Sequence, residues 1–195
     1  MKRNLALLLF SILTFSVTKG QDTIYVDLPS LVQDCTKSNI DSNRWQMAVW
    51  LPTLYWSILD EQMENSTNDY ENIFEAMSPY MMFCIVDYSV VDGKVQYRKA
   101  SDIRKTLKYT DSSNTVLSPE YDNQISLYLR RMLNNAAPEV AKYFGKYGAG
   151  MRIFLFKVNF GFHPVSMDLT RKNWFTLTWD QTRILWILPL PSISP

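Results

Sequence analysis

Residues 80–98 read YMMFCIVDYSVVDGKVQYR, and this stretch decides the predicted fold. Its first part is apolar on both faces and then begins to alternate, which is typical of a central strand near its end. Asp92-Gly93 is a strong hairpin signal, and the residues after it alternate as a return strand. The stretch therefore predicts two antiparallel strands joined by a tight turn.

Helical and extended patterns alternate on both sides of this hairpin. Residues 45–51 alternate as a strand, and Asp111 begins a polar turn between two brief extended pieces. Apolar residues at helical spacing, together with polar or proline-containing starts, predict six helices. The helices cover or begin at residues 28–39, Pro52, Asn68, Ser101, Ser118 and Pro138, and three strands follow at residues 151–160, 173–179 and 183–188.

The order of these elements indicates the fold class. Helices come first, then the hairpin, then more helices and finally strands with short connections. Such an order is typical of proteins in which helices cover an antiparallel sheet. The sequence therefore predicts an α+β fold with a largely antiparallel sheet of five to six strands and helices packed on one face.

The first twenty residues, MKRNLALLLFSILTFSVTKG, have the pattern of an export signal. A basic start precedes an apolar run over residues 5–17, and small residues lie just before a cut that would leave Gln21 first. The apolar run is too short to span a bilayer, which needs about 20 apolar residues. We therefore predict a signal peptide over residues 1–20 and a periplasmic or secreted location. The rest, residues 21–195, is predicted to be one soluble globular domain without an integral membrane span.

The charge balance of the chain gives no indication of nucleic-acid binding. The whole chain has 20 basic and 19 acidic residues, and removal of the signal takes three basic residues with it, which leaves a formal net charge of −2. Nucleic-acid binding depends largely on clustered Lys and Arg that neutralise phosphates. Nucleic acid is therefore not among the predicted partners.

Cys35 and Cys84 are the only cysteines, and an oxidising compartment would allow a disulfide between them. Cys84 also lies in an apolar run, where a free cysteine behaves as a small hydrophobic residue. The sequence leaves both interpretations open. Asn65 begins an N-glycosylation pattern that matters only in a eukaryotic secretory pathway, and a polar turn is the preferred interpretation.

Common catalytic and metal-binding patterns are missing from the sequence. His163 is the only histidine, and the chain contains no G-x-S-x-G motif. One histidine and two distant cysteines give none of the close ligand spacings of zinc sites, and no acidic loop matches an EF-hand. The glycines of residues 145–150 (GKYGAG) follow a helix, so helix capping explains them better than phosphate binding. The sequence predicts no metal and no cofactor.

Asp87 is the acidic residue with the most distinctive position. It shares a strand face with Phe83 and Ile85, so partial burial could raise its pKa and make it a proton donor or acceptor. Ser89 on the same face indicates instead that this end of the strand meets water. A small exported hydrolase that uses carboxylates, with Asp87 as a participant, is therefore the alternative hypothesis for function.

An aromatic stretch supports the preferred hypothesis. Trp45, Trp50, Tyr55 and Trp56 lie close together in the chain, and such side chains are common at interfaces. Burial of both faces in the core is the competing interpretation. The preferred hypothesis is a non-enzymatic protein that binds a partner protein or an apolar ligand through an aromatic surface. The predicted binding residues are Trp50, Tyr55 and Trp56.

Three segments carry a resemblance: WLPTLYW from Trp50, FCIVDYSVVDGKV from Phe83 and GKYGAGMRIFLF from Gly145. Together they resemble small exported bacterial domains of unknown function. The resemblance covers most of the chain after the export signal. The short basic start, the leucine-rich run and Gln21 after the cut are those expected of a protein exported to a Gram-negative periplasm. The resemblance implies no activity and no site residue.

Overall fold

The computed structural model of the chain describes most of its length in six segments. These are residues 14–19, 22–41, 43–55, 76–143, 145–158 and 169–193. The predicted helix start at Asn68, the glycosylation pattern at Asn65, His163 and Trp56 lie outside the described residues.

The elements follow in chain order. They are β1 (Thr14–Lys19), β2 (Asp22–Asp27), α1 (Leu28–Cys35), β3 (Thr36–Asp41), β4 (Arg44–Leu51), β5 (Tyr80–Val91), β6 (Lys94–Tyr97), α2 (Ala100–Thr106), β7 (Lys108–Asp111), β8 (Val116–Leu117), α3 (Leu127–Tyr143), a 3₁₀ helix (Gly145–Gly150), β9 (Arg152–Lys157), β10 (Asn173–Trp179), β11 (Thr182–Leu188) and a last 3₁₀ turn (Pro191–Ile193).

β5 is the central strand of a five-stranded antiparallel sheet. On one side it pairs with β4, which in turn pairs with β3. On its other side β9 pairs with the first half of β5 and β6 with the second half. Seven consecutive buried residues of β5, from Met81 to Asp87, explain why the strand can lie in the middle of the sheet.

The turn between β5 and β6 confirms the predicted hairpin. Asp92 and Gly93 both have positive φ angles, 52° and 72°. A two-residue turn of this kind matches the twist of the flanking strands and fixes their register. Val91 therefore pairs with Lys94, and Tyr88 pairs with Tyr97.

A second antiparallel sheet has four strands in the order β11, β10, β7, β8. The predicted strands near residues 173–179 and 183–188 form its hairpin, with Asp180 at a positive φ of 51° in the turn. Alternate residues of β11 are buried, and Trp186 is among them. The polar turn that begins at Asp111 separates β7 from β8, and β7 pairs with β10.

Aromatic side chains from the two sheets meet in the core. Trp50 of β4 contacts Phe175 of β10 edge to face, with ring centroids 4.7 Å apart. Phe83 of β5 lies 6.0 Å from Phe175 and 5.6 Å from Trp186. Phe175 and Trp186 stack at 5.2 Å. Because large rings bury much apolar area, these contacts hold the sheets together.

The predicted fold class is confirmed at the level of a mixed α/β chain with largely antiparallel sheets, but the strands form two sheets and a separate β1–β2 hairpin. The helix predicted over residues 28–39 ends at Cys35, because the next residues pair with β4 as strand β3. The predicted restart at Pro138 is absent, since Pro138 lies inside α3. The packing of helices on one face stays a prediction.

The predicted signal peptide overlaps strand β1. Thr14–Lys19 pairs along its whole length with Asp22–Asp27, so a cut before Gln21 would remove one strand of this hairpin. The signal peptide and the exported location stay predictions. Within the described residues, no helix has the length and apolar character needed to cross a membrane.

The two cysteines are free and buried, so the disulfide is not formed. Val49 of β4 pairs with Cys84 on one side and with Thr36 on the other. A whole strand therefore lies between Cys84 and Thr36, the residue that follows Cys35. Two strand spacings separate Cys84 from Thr36, and they amount to roughly 10 Å, beyond the Cα separation that a disulfide can bridge. Burial raises the pKa of the Cys84 thiol to about 12 and keeps it protonated.

Candidate functional site

The structure places Trp50 and Tyr55 in the core. Trp50 is 1% exposed and Tyr55 is 6% exposed. Trp50 lies on the face of β4 that packs against the four-stranded sheet, where it contacts Phe175. Neither side chain can contribute to an exposed aromatic surface, so burial in the core is the correct interpretation for both. Trp56 lies outside the described residues.

A different set of residues, one aliphatic and three aromatic, lies at one end of the five-stranded sheet. Ile40 of β3 pairs with Trp45 of β4, Trp45 with Tyr88 of β5, and Tyr88 with Tyr97 of β6. Directly opposed residues of antiparallel strands point to the same face of the sheet. These four residues therefore form one continuous row across four strands, which we name the aromatic row.

Neighbouring rings of the aromatic row pack edge to face. Trp45 and Tyr88 have ring centroids 5.2 Å apart and an interplanar angle of 86°. Tyr88 and Tyr97 have centroids 5.8 Å apart and an angle of 68°. Edge-to-face pairs of this kind place the positive edge of one ring against the negative face of the other. The row is thus a packed and well-defined surface.

A groove of about 350 Å³ opens beside the aromatic row. Its lining residues are Ile40, Asp41, Asn43, Arg44, Trp45, Tyr88 and Val90. The apolar part of this lining is accessible, since Ile40 is 74% exposed and Val90 is 43% exposed. Val95, which pairs with Val90 across the β5–β6 hairpin, is 47% exposed and extends the apolar surface. We name this site the aromatic groove.

Asp87 lies on the opposite face of the sheet from the aromatic row, because successive strand residues alternate in direction. Arg44 donates to both of its carboxylate oxygens, from Nε at 2.9 Å and from Nη2 at 2.6 Å. Trp179 Nε1 donates to Asp87 Oδ2 at 3.1 Å, and Arg98 Nη1 lies 3.6 Å from the same oxygen. Asp87 itself is 1% exposed.

Asp180 binds the same two arginines from the β10–β11 turn. It accepts a hydrogen bond from Arg44 Nη2 at 2.8 Å and one from Arg98 Nη2 at 3.0 Å, and Arg98 Nη1 also donates to it. The Thr106 hydroxyl donates to it at 2.9 Å. These donors, first of all Arg98, hold the pKa of Asp180 well below its usual range despite partial burial. The hydrogen bond to Asp87 raises the pKa of Arg44.

We name this cluster of four charged residues the ionic network; it consists of Arg44, Asp87, Arg98 and Asp180. Two positive and two negative charges cancel, so the network carries no net charge. Beside it, the Thr182 hydroxyl and the buried Gln46 amide lie within 2.5 Å of each other. Because the residues come from both sheets, the network ties the β10–β11 turn to β4 and β5.

The ionic network is a poor site for acid catalysis. A general acid must hold a proton and reach the substrate. Both carboxylate oxygens of Asp87 instead accept hydrogen bonds from Arg44, and almost no part of the side chain is exposed to a substrate. Asp180 is the second carboxylate nearby, but it is occupied by the same arginines. The geometry gives the hydrolase hypothesis no support.

The sequence contained a signal for part of the aromatic row. A two-residue turn at Asp92-Gly93 fixes the pairing of Tyr88 with Tyr97, which could have been deduced from the numbering alone. The pairing of Trp45 with Tyr88 could not, since it depends on how β4 meets β5 across residues far apart in the chain. Nothing in the sequence indicated that Asp180 reaches Arg44 and Arg98.

The described residues contain no group of three or more His, Cys, Asp or Glu side chains placed to hold a metal ion. No family model matches the chain, and no curated protein or solved structure matches it either.

Proposed function

We propose that this chain is a binding protein, not an enzyme, and that the aromatic groove binds the apolar part of a small ligand. The observation that carries the proposal is the coincidence of a groove of about 350 Å³ with the aromatic row. Small-molecule sites typically have volumes of roughly 300–1,000 Å³ and an apolar, aromatic lining with a few polar groups. The aromatic groove matches this description, with Asn43 and Asp41 as polar groups at its margin.

The exposed aliphatic residues support a binding role for the aromatic groove. Ile40 and Val90 leave apolar area in contact with water, and removal of such area stabilises a complex by about 25 cal/mol per Å². Trp45 and Tyr88 hold each other in fixed orientation, so little side-chain freedom is lost when a ligand contacts them. A pre-formed apolar groove is therefore able to bind without rearrangement.

Export is part of the same proposal. The basic start, apolar run and small residues of the first twenty positions support a protein that meets its ligand outside the cytoplasm. The surface differs from the one predicted from the sequence, since it includes Trp45 rather than Trp50 and Tyr55. The class of function, binding through an aromatic surface, is unchanged.

Titration with N-phenyl-1-naphthylamine, an uncharged apolar dye whose fluorescence rises on binding, tests this proposal. We expect saturable binding to the wild-type chain and at least tenfold weaker binding to Ile40→Glu, because a carboxylate would then stand in the groove. Ile40 is 74% exposed, so this substitution should leave the fold intact.

The matched control is Ile187→Glu, at a position on β11 that is 64% exposed and absent from the groove lining. It adds the same charge and removes the same side chain. We expect its dye affinity to equal that of the wild type. Equal weakening by both variants, or no saturable binding to the wild type, would contradict the proposal.

A further inference from the structure

We propose that the ligand of the aromatic groove is a short peptide in extended conformation, which pairs with the outer edge of β3 and places a large apolar side chain in the groove. This inference rests on the proposed function and names the chemical class of its ligand. It follows from the position of β3 in the sheet, from the direction of its backbone groups and from the residue that this edge shares with the groove.

β3 is an edge strand of the five-stranded sheet. It pairs with β4 on one side, and no strand within the described segments pairs with its other side, which we name the outer edge. Every residue from Lys37 to Asp41 is exposed, so the strand is accessible. The N–H and C=O groups along the edge of a sheet are a template for an added strand.

The backbone hydrogen bonds of β4 show which groups of β3 point outward. The Val90 N–H donates to the Asn43 carbonyl at 2.9 Å, so Asn43 and, two residues later, Trp45 direct their backbone groups at β5. Trp45 therefore forms a non-hydrogen-bonded pair with Ile40, whose own N–H and C=O point away from β4. The same holds for Ser38, two residues earlier on β3.

Ile40 connects the outer edge of β3 to the aromatic groove. Its backbone groups point outward, while its side chain lines the groove and is 74% exposed. A peptide residue paired with Ile40 would lie on the same face of the sheet, so its side chain would extend the aromatic row by one strand. In strand addition of this kind, main-chain hydrogen bonds give affinity and pockets for alternate side chains give specificity.

Lys37 indicates the charge of a second peptide residue. It lies three residues before Ile40, so in an antiparallel peptide it faces the residue three positions after the one in the groove. Lys37 is exposed, and it forms no ion pair with another described residue. An aspartate or glutamate at that peptide position would be attracted to its ammonium group, because opposite charges on directly opposed strand residues stabilise the pairing.

β3 of a second copy is a poorer occupant of the same edge. The antiparallel registers that pair most of β3 with itself place Thr36 or Ser38 opposite Ile40. Both side chains are small and polar, so they leave most of a groove of about 350 Å³ unfilled. A peptide with a large aromatic or aliphatic residue fills more of the groove and removes the exposed surface of Ile40 from water.

Synthetic peptides that displace N-phenyl-1-naphthylamine from the wild-type chain test the inference. The probe is acetyl-Thr-Thr-Phe-Thr-Val-Glu-Thr-amide, in which phenylalanine would pair with Ile40, valine with Ser38 and glutamate with Lys37. Methylation of the phenylalanine and valine nitrogens should weaken binding at least about tenfold, because both donors face β3. Methylation of the nitrogens of glutamate and of the threonine after phenylalanine is the matched control and should change nothing. Glutamine in place of glutamate should weaken binding about threefold.

Two variants of β3 test the same contact from the protein side. Ser38→Pro removes an N–H that points away from β4, so pairing with β4 is retained, and proline is tolerated on edge strands. Ser38→Ala is the matched control, because it removes the same hydroxyl and keeps the N–H. We expect Ser38→Pro to weaken the probe peptide about fivefold and Ser38→Ala to leave it unchanged. Both should bind the dye as the wild type does, since Ser38 is absent from the groove lining.

The outcomes distinguish this inference from the proposed function. If the probe peptide does not displace the dye, or if both methylation patterns weaken it equally, strand addition is overturned while saturable dye binding still supports an apolar groove. Equal affinity of Ser38→Pro and Ser38→Ala for the peptide overturns it too, as does a dimer in sedimentation that Ser38→Pro abolishes. Equal binding of the glutamine peptide overturns the contact with Lys37. If the dye itself does not bind, the proposed function is overturned as well.

Discussion

The carboxylate of Asp87 is buried and fully engaged in hydrogen bonds inside the protein. Two hydrogen bonds from Arg44 and one from Trp179 replace the water that the carboxylate loses on burial. The sequence indicated that Asp87 would be at least partly buried, and this is correct. Its arginine partners were missed because Arg44 belongs to a different strand and Arg98 follows the next one.

Asp180 provides a prediction at the residue scale. Its pKa is lowered in the folded protein, first by Arg98, relative to about 3.9 for an unfolded aspartate. A lowered folded pKa means that Asp180 contributes stability above the unfolded pKa and loses that contribution as the pH falls towards the folded value. We therefore expect Asp180→Asn to be destabilised at pH 7 and to lose less further stability than the wild type between pH 5 and pH 3.

Urea unfolding at pH 7, 5, 4 and 3 would measure this difference. Asp122→Asn is the control because its carboxylate is 78% exposed and makes only a 3.7 Å contact with Arg104. It should follow the wild-type pH profile. An Asp180→Asn profile parallel to that of the wild type would show that the hydrogen bonds to Arg98 and Arg44 contribute nothing to stability.

The β5–β6 hairpin shows which features of an element are local enough to predict. The strand, the turn and the register all follow from residues 80–98, because a two-residue turn leaves one pairing. The end of α1 at Cys35 does not follow from the local sequence. The predicted helix continues beyond Cys35, but the chain pairs with β4 from Thr36 onward. Tertiary pairing overrides local preference there. The split into two sheets likewise depends on contacts such as that of β7 with β10.

Gly93 gives a prediction at the element scale. Its φ is +72°, and a Cβ added there would meet no other atom within 4 Å, so any cost of substitution comes from the backbone. We expect Gly93→Ala to lower the free energy of unfolding by about 1 kcal/mol, because residues with a Cβ disfavour this conformation. Gly93→Asn should cost less, since asparagine tolerates it better.

Chemical denaturation of the two variants beside the wild type would test this order. The Asn variant is the informative control, because its side chain is larger than that of alanine. If crowding rather than backbone conformation determined the cost, Asn would be the more destabilising of the two. That order would contradict the turn geometry.

At the scale of the whole molecule, the aromatic row and the ionic network lie on opposite faces of the same strands, and Arg44 of the network also lines the aromatic groove. Arg44 and Trp45 are neighbours on β4, and Asp87 and Tyr88 are neighbours on β5, so each pair sends one residue to each face. The ionic network on one face fixes the ends of β4 and β5 against the β10–β11 turn. The aromatic row on the other face is therefore carried by strands that are held in place, which suits a pre-formed groove.

The mass of the recovered protein tests whether the predicted signal peptide is removed on export. We expect the protein recovered from the periplasm or medium of an expressing Gram-negative bacterium to begin at Gln21, because residues 1–20 have the three parts of a signal peptide. Intact mass spectrometry would measure this. A recovered chain that retains Met1 and stays in the cytoplasm would contradict the prediction.

The cut would also remove β1, so the same experiment bears on stability. An isolated two-stranded hairpin is only marginally stable, and β2 also packs against α1 and the Pro191–Ile193 turn. We therefore expect residues 21–195 to unfold within about 1 kcal/mol of the full chain. A loss of several kcal/mol would mean that β1 belongs to the stable fold. Because export would then remove a segment that the folded protein needs, this result would contradict the predicted signal peptide.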